Sequence, residues 1–201
     1  MQLIGMLDSP YVRRVAISMR LMEIPFTHRA VSVFRHLAEF QAINPVVKAP
    51  TLILDDGSTL MDSTLILDYL DSRHPERSLM PKALPQRRHC LYLLGLALAA
   101  MEKSVQLVYE QQLRPEDKRH LPWQERVASQ LTAAYSALEQ AMTQQQPDIN
   151  SLDQAGISIA VAWRFTRELL PQQLHWHDYP CLQQWSTQAE ASPAFIATPF
   201  E

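Results

Sequence analysis

The sequence predicts two domains: an α/β domain over residues 1–80 and an all-helical domain over residues 87–201, joined by a linker at residues 81–86. Three observations predict it. Before about Lys82, strand and helix signals alternate; after it, every apolar segment has helical spacing. The change falls on the Pro-containing stretch Met80-Pro81-Lys82-Ala83-Leu84-Pro85.

The first element is the short apolar strand Gln2 to Met6, followed by Asp8-Ser9-Pro10, where Ser9 caps a helix and Pro10 fits its first turn. That helix carries Val12, Val15, Ala16, Met19 and Leu21 with Arg13, Arg14 and Arg20 between them, and it stops before Ile24-Pro25. Phe26 to Ser32 reads as a second strand. Strand, helix and strand at this spacing make a βαβ unit with parallel strands and a right-handed crossover. A less regular helix spans Arg35 to Ile43. Thr51 to Leu54, the Asp55-Asp56-Gly57 turn and Ser58 to Met61 form an antiparallel hairpin. Asp62-Ser63 opens a helix with Leu65, Ile66, Tyr69 and Leu70 at helical spacing. The order βαβ, helix, ββ, helix is that of a thioredoxin-like domain.

Beyond the linker, long helices are expected over Arg87 to Gln111 and Trp123 to Gln145, separated by the polar breaker Arg114 to Pro122. The S-x-x-Q pattern at Ser151 to Gln154 reads as a capping box that opens an apolar helix, and a last helix spans about Cys181 to Ala191. Met101, Met142, Trp163 and Trp185 fit helix cores.

Composition narrows the partners. The 47% hydrophobic content supports a globular core, and 18 basic against 21 acidic residues, net charge -3, leave no footprint for nucleic acid. The apolar run Cys90 to Met101 is shorter than the roughly 18 residues that suggest a membrane span, so a buried helix and no membrane partner are expected. Two cysteines without CxxC spacing fit a reducing cytoplasm, and Asp8 comes too early for an export signal. His175-Trp176-His177 lacks further ligands at metal spacing, so no metal is expected.

Two places could carry chemistry. Ser9 stands at a helix start, where unpaired N–H groups and the helix dipole favour an anion; it reads equally as a plain cap. Asp62-Ser63 reads as a second helix start of the same kind. Four segments then carry a resemblance over essentially the whole chain: SPYVRRV at Ser9 to Val15, NPVVKAPTL at Asn44 to Leu52, MDSTLILDYLD at Met61 to Asp71, and YPCLQQWSTQAEASPAFIATP at Tyr179 to Pro199. In this order and spacing they resemble the glutathione transferase family, and most closely its serine-type members, such as tau-class plant enzymes and small bacterial homologues.

The resemblance implies that Ser9 donates a hydrogen bond to the glutathione thiolate. Bringing a thiol from its ordinary pKa of about 8.5 to about 6.5 needs about 2.7 kcal/mol, which a hydroxyl donor and a helix N-terminus supply together. It implies that Pro50 follows a cis bond and that the Ala49 backbone pairs with the cysteinyl unit. A trans proline starting an edge strand is the alternative reading. Ser63 would take the γ-glutamyl carboxylate and Asp62 the ammonium, with Asp in place of the commoner Glu. Lys48 and His36 are candidates for the glycyl carboxylate, His36 replacing a lysine. Tyr11, Tyr92 and Tyr109 are candidates to line the second-substrate pocket. The implied reaction is attack of glutathione thiolate on a small apolar electrophile by a homodimer, with glutathione as co-substrate and no other cofactor. The rival is a non-catalytic regulatory protein on the same scaffold, resembling stringent starvation protein A.

Overall fold

The computed structural model describes residues 1–201, which form two compact units. The first comprises residues 1–80 and 191–201, the second residues 81–190.

In the first unit, β1 (Gln2–Ile4), α1 (Pro10–Leu21) and β2 (Thr27–Arg29) form the parallel βαβ element, followed by α2 (Leu37–Ile43). β3 (Thr51–Ile53) and β4 (Thr59–Met61) form the antiparallel hairpin, and α3 (Ser63–Arg73) follows it. The sheet order is β2-β1-β3-β4, with β1 antiparallel to β3. The two-residue period of a strand divides the core. Leu3 and Leu52 face Val12, Val15, Met19, Ile66 and Leu70, whereas Ile4 packs with Val31 and Phe40. This is the thioredoxin-like arrangement, with strands of three residues each where longer ones are predicted.

The chain's last residues belong to this unit and not to the helical one. α8 (Pro193–Ile196) packs on α1, Arg13 Nε donates to the Thr198 carbonyl at 2.8 Å, and the Arg13 guanidinium lies 5.4 Å from the Phe195 ring centroid. Arg13 and Arg14, expected as polar interruptions of α1, are therefore both buried. A tail that covers a helix face leaves no periodic mark in the sequence of that helix.

The second unit consists of α4 (Leu84–Gln112), α5 (Leu121–Gln144), α6 (Gln154–Leu169) and α7 (Pro180–Glu190). α4 begins inside the expected linker because Pro85 fits a first helical turn. By length and composition it could cross a membrane, and its Cys90, Leu93, Leu94, Ala97, Ala100 and Met101 are buried where it packs against α5 and α6. The expected S-x-x-Q box is not what caps α6. Asp153 is the N-cap, its Oδ1 accepting from Gly156 N–H at 2.8 Å, because a carboxylate at that position reaches the third residue of the helix. Ser151 lies in the preceding bend.

Candidate functional site

Strand register decides which loops meet. Ile4 pairs with Arg29 on one side and Thr51 on the other, and Thr51 pairs with Met61. The segments that follow Ile4, Arg29 and Met61 and the segment that precedes Thr51 therefore leave the sheet at the same end. Those four segments carry Ser9, His36, Asp62-Ser63 and Lys48-Ala49-Pro50.

The segment before β3 is tied down by its own polar groups. Asn44 Nδ2 donates to Thr51 Oγ1 at 2.9 Å, Asn44 Oδ1 accepts from Val46 N–H at 3.0 Å, and Thr51 Oγ1 donates to the Lys48 carbonyl at 2.8 Å. Val47 is held at φ 56°, a strained value for a β-branched residue, and the Ala49–Pro50 bond is cis. Gly5, at φ 137°, lies against this segment. A Cβ there would stand 3.2 Å from Ala49 Cβ and 2.6 Å from Val12 Cγ2, so only glycine lets the β1–α1 turn pass this close.

Ser9 is the N-cap of α1, its Oγ accepting from Val12 N–H at 3.5 Å. The cap uses a lone pair, which leaves the hydroxyl proton free to be donated elsewhere; capping and thiolate binding do not compete for the same atom. Beside it, burial raises the Asp8 carboxyl above its ordinary value, opposed by the charge of Arg35.

Asp62 is the N-cap of α3, at φ 70°, with Oδ1 accepting from Thr64 N–H at 2.9 Å and Oδ2 3.5 Å from Lys48 Nζ. The two residues that the resemblance assigns to opposite ends of glutathione are thus an ion pair. Ser63 is buried, and its Oγ accepts from Arg14 Nη1 at 3.3 Å. His36 precedes α2, and its Nδ1 accepts from Ser32 N–H at 3.1 Å, which leaves Nε2 as its donor. Tyr11 lies in the first turn of α1; Tyr92 and Tyr109, 54% and 45% exposed, lie on α4 in the other unit.

Sequence reasoning missed Arg14. Its side chain is 1% exposed, Nη1 also reaches Thr64 Oγ1 at 3.3 Å, and burial pulls the guanidinium down to about 10, so it keeps its charge at neutral pH. The one available signal was a pair of arginines on the only helix that follows an apolar strand and a Ser-Pro cap.

Known proteins share this fold. The model of the glutathione S-transferase N-terminal domain matches residues 3–78. A glutathione transferase family member from Pseudomonas fluorescens Pf-5, solved with bound S-(propanoic acid)-glutathione, is 30% identical, with 98% of each chain covered and a TM-score of 0.84. A glutathione S-transferase from Methylobacillus flagellatus, solved with glutathione bound, is 25% identical over 98% of each chain, with a TM-score of 0.86. A probable maleylacetoacetate isomerase from Drosophila melanogaster is 25% identical over 196 residues, which are 92% of this chain and 81% of that protein. The family model over residues 3–78 and the 30% identity along nearly the full length of both chains agree, and the chain belongs to the glutathione S-transferase family.

Proposed function

We propose that this protein binds glutathione at the end of the sheet where the four segments meet and uses its thiolate to attack a small apolar electrophile. The observation that carries this reading is the convergence, set by strand register, of a capping serine with a free hydroxyl proton, the Lys48-Ala49-Pro50 segment and the Asp62-Ser63 helix start. In this reading Ser9 donates to the sulfur and the Ala49 backbone pairs with the cysteinyl unit. Ser63 takes the γ-glutamyl carboxylate, Asp62 the ammonium, and Lys48 and His36 the glycyl carboxylate. Tyr11, in the first turn of α1, faces the second substrate. The chemistry needs no cofactor beyond glutathione itself. The exposed apolar side chains of Val46, Met61 and Leu65 support a homodimer. Light scattering should then give twice the 23.0 kDa chain mass.

A second reading is glutathione-dependent isomerisation, favoured by the likeness to a protein named as a maleylacetoacetate isomerase. There the thiolate adds to a conjugated alkene, the bond rotates, and elimination returns glutathione. Titration calorimetry with glutathione tests the shared step; no heat at millimolar ligand would favour the non-catalytic rival. Haloarenes, epoxides and cis-enones separate the two reactions, because conjugation consumes the thiol and isomerisation leaves its concentration unchanged.

A further inference from the structure

The ladder between β1 and β2 stops one bond short of the turn that carries Ser9, and a side chain takes the missing place. The two strands are parallel with Ile4 opposite Arg29, and Gly5 N–H donates to the Arg29 carbonyl at 3.1 Å. Continued, the ladder would bring Val31 N–H onto the Gly5 carbonyl. Val31 N–H instead folds back on the Arg29 carbonyl at 2.9 Å, and His28 Nε2 lies 2.7 Å from the Gly5 carbonyl. A carbonyl only accepts, so Nε2 carries a proton and donates, in the neutral ring as in the charged one. Gly5 is buried, and its carbonyl would be costly to leave without a donor. At φ 137°, Gly5 also has no Cβ to hinder rotation of the peptide that follows it. That peptide leads into Met6, whose carbonyl accepts from Ser9 N–H at 3.2 Å.

We infer that His28 is a positioning residue for the proposed thiolate site: by holding the Gly5 carbonyl it fixes the peptide from which the Met6–Ser9 turn departs, and so sets where the Ser9 hydroxyl stands. The inference rests on the proposed contact between Ser9 and the glutathione sulfur, and it adds to that contact a side chain of the edge strand β2 that acts through the backbone. Without the Nε2 donor, the Gly5–Met6 peptide is free to turn its carbonyl toward water and to carry Met6 and Ser9 with it. Misplacing a reacting group by about 1 Å costs about 100-fold in rate. Lys48 and Asp62, assigned to the two ends of glutathione, are held by other bonds, so affinity should change less than rate.

The test follows bound-thiolate absorbance against pH, turnover of chlorodinitrobenzene and glutathione affinity in the wild type and in His28→Phe, which keeps a flat ring without the donor. The variant should raise the pKa of the bound thiol about one unit toward its free value and lower kcat about 10- to 100-fold, with glutathione affinity held within about threefold. His28→Gln, whose amide nitrogen reaches the place of Nε2, should recover most of both losses. Should His28→Phe not fold, His28→Asn, polar but too short to reach the Gly5 carbonyl, carries the same expectation. A His28→Phe or His28→Asn protein that melts earlier but keeps the wild-type titration and kcat would overturn the role of His28 alone, as would a His28→Gln protein that recovers nothing. A Ser9→Ala protein that titrates as the wild type does would overturn the Ser9 contact, and the His28 role with it.

Discussion

The sheet-containing unit turns several of its buried polar groups toward loops at one sheet end, whereas the helical unit turns its own on one another. In the first unit Arg14 reaches Ser63 and Thr64, Asn44 reaches Thr51, and two of the three non-glycine residues with positive φ, Val47 and Asp62, flank the same loops. In the second, Thr166 Oγ1 donates to its own helix at Ala162 and lies 2.7 Å from Ser104 Oγ and 2.6 Å from Tyr135 Oη. Glu139 accepts from Cys181 and Leu182 N–H at the start of α7, and Glu110 accepts from His120 N–H between α4 and α5. Val47, Asp62 and outward-facing donors collect at the sheet end where glutathione is proposed to bind; closed networks collect where helices only need to be fixed. The same chain thus separates recognition from scaffolding.

Substitutions in the helical unit should move stability and leave glutathione affinity alone, and the largest such effect is expected at Trp185. Its ring is buried, and its Nε1 donates to the Gly156 carbonyl at 2.9 Å. Trp185→Ala should cost about 3–5 kcal/mol in denaturant unfolding, with unchanged glutathione affinity at a temperature where the variant is folded. An affinity loss as large as the stability loss would show that the helical unit takes part in holding glutathione. Thr166→Val should cost about 1–3 kcal/mol, because it strips both Ser104 and Tyr135 of a partner while preserving volume. A smaller cost would mean that those two hydroxyls re-pair with each other.

In the sheet-containing unit, Asp8 ties stability to pH. Burial raises its carboxyl, so its contribution to folding is fullest while it is protonated, below the ordinary carboxylate value, and is lost as pH rises through the raised one. Asp8→Asn should therefore melt with the wild type in acid and above it at neutral pH, by a margin that grows across that window. A margin that stays flat with pH would place Asp8 in solvent.

The legible part of this molecule was the part with local causes. Alternating and helical periodicity marked β1 through α7 in order, and Ser9-Pro10 and Asp62-Ser63 announced two helix starts because caps act within a turn. What escaped had causes distant in sequence. Arg14 and Arg13 look like solvated interruptions until residues 49 to 185 positions away come to lie on them. The capping box failed for a nearer reason: Ser151 and Asp153 both suit a cap, and only the path of the chain decided between them. The present partners of Lys48 and His36 were not legible either, since Lys48 meets Asp62 across the sheet end and His36 meets the backbone of Ser32.

The central claim, that Ser9 holds the glutathione thiolate, is tested most directly by titrating the absorbance of bound thiolate against pH in the wild-type protein and in Ser9→Ala. With Oγ accepting from Val12 N–H and its proton free, the wild type should lower the bound thiol clearly below its ordinary value of about 8.5. Ser9→Ala should return it toward that value, slow turnover with the electrophile, and lower stability by about 0.5–2 kcal/mol through the lost cap. A variant that melts earlier but keeps the wild-type titration and rate would contradict the claim and leave Ser9 a cap alone.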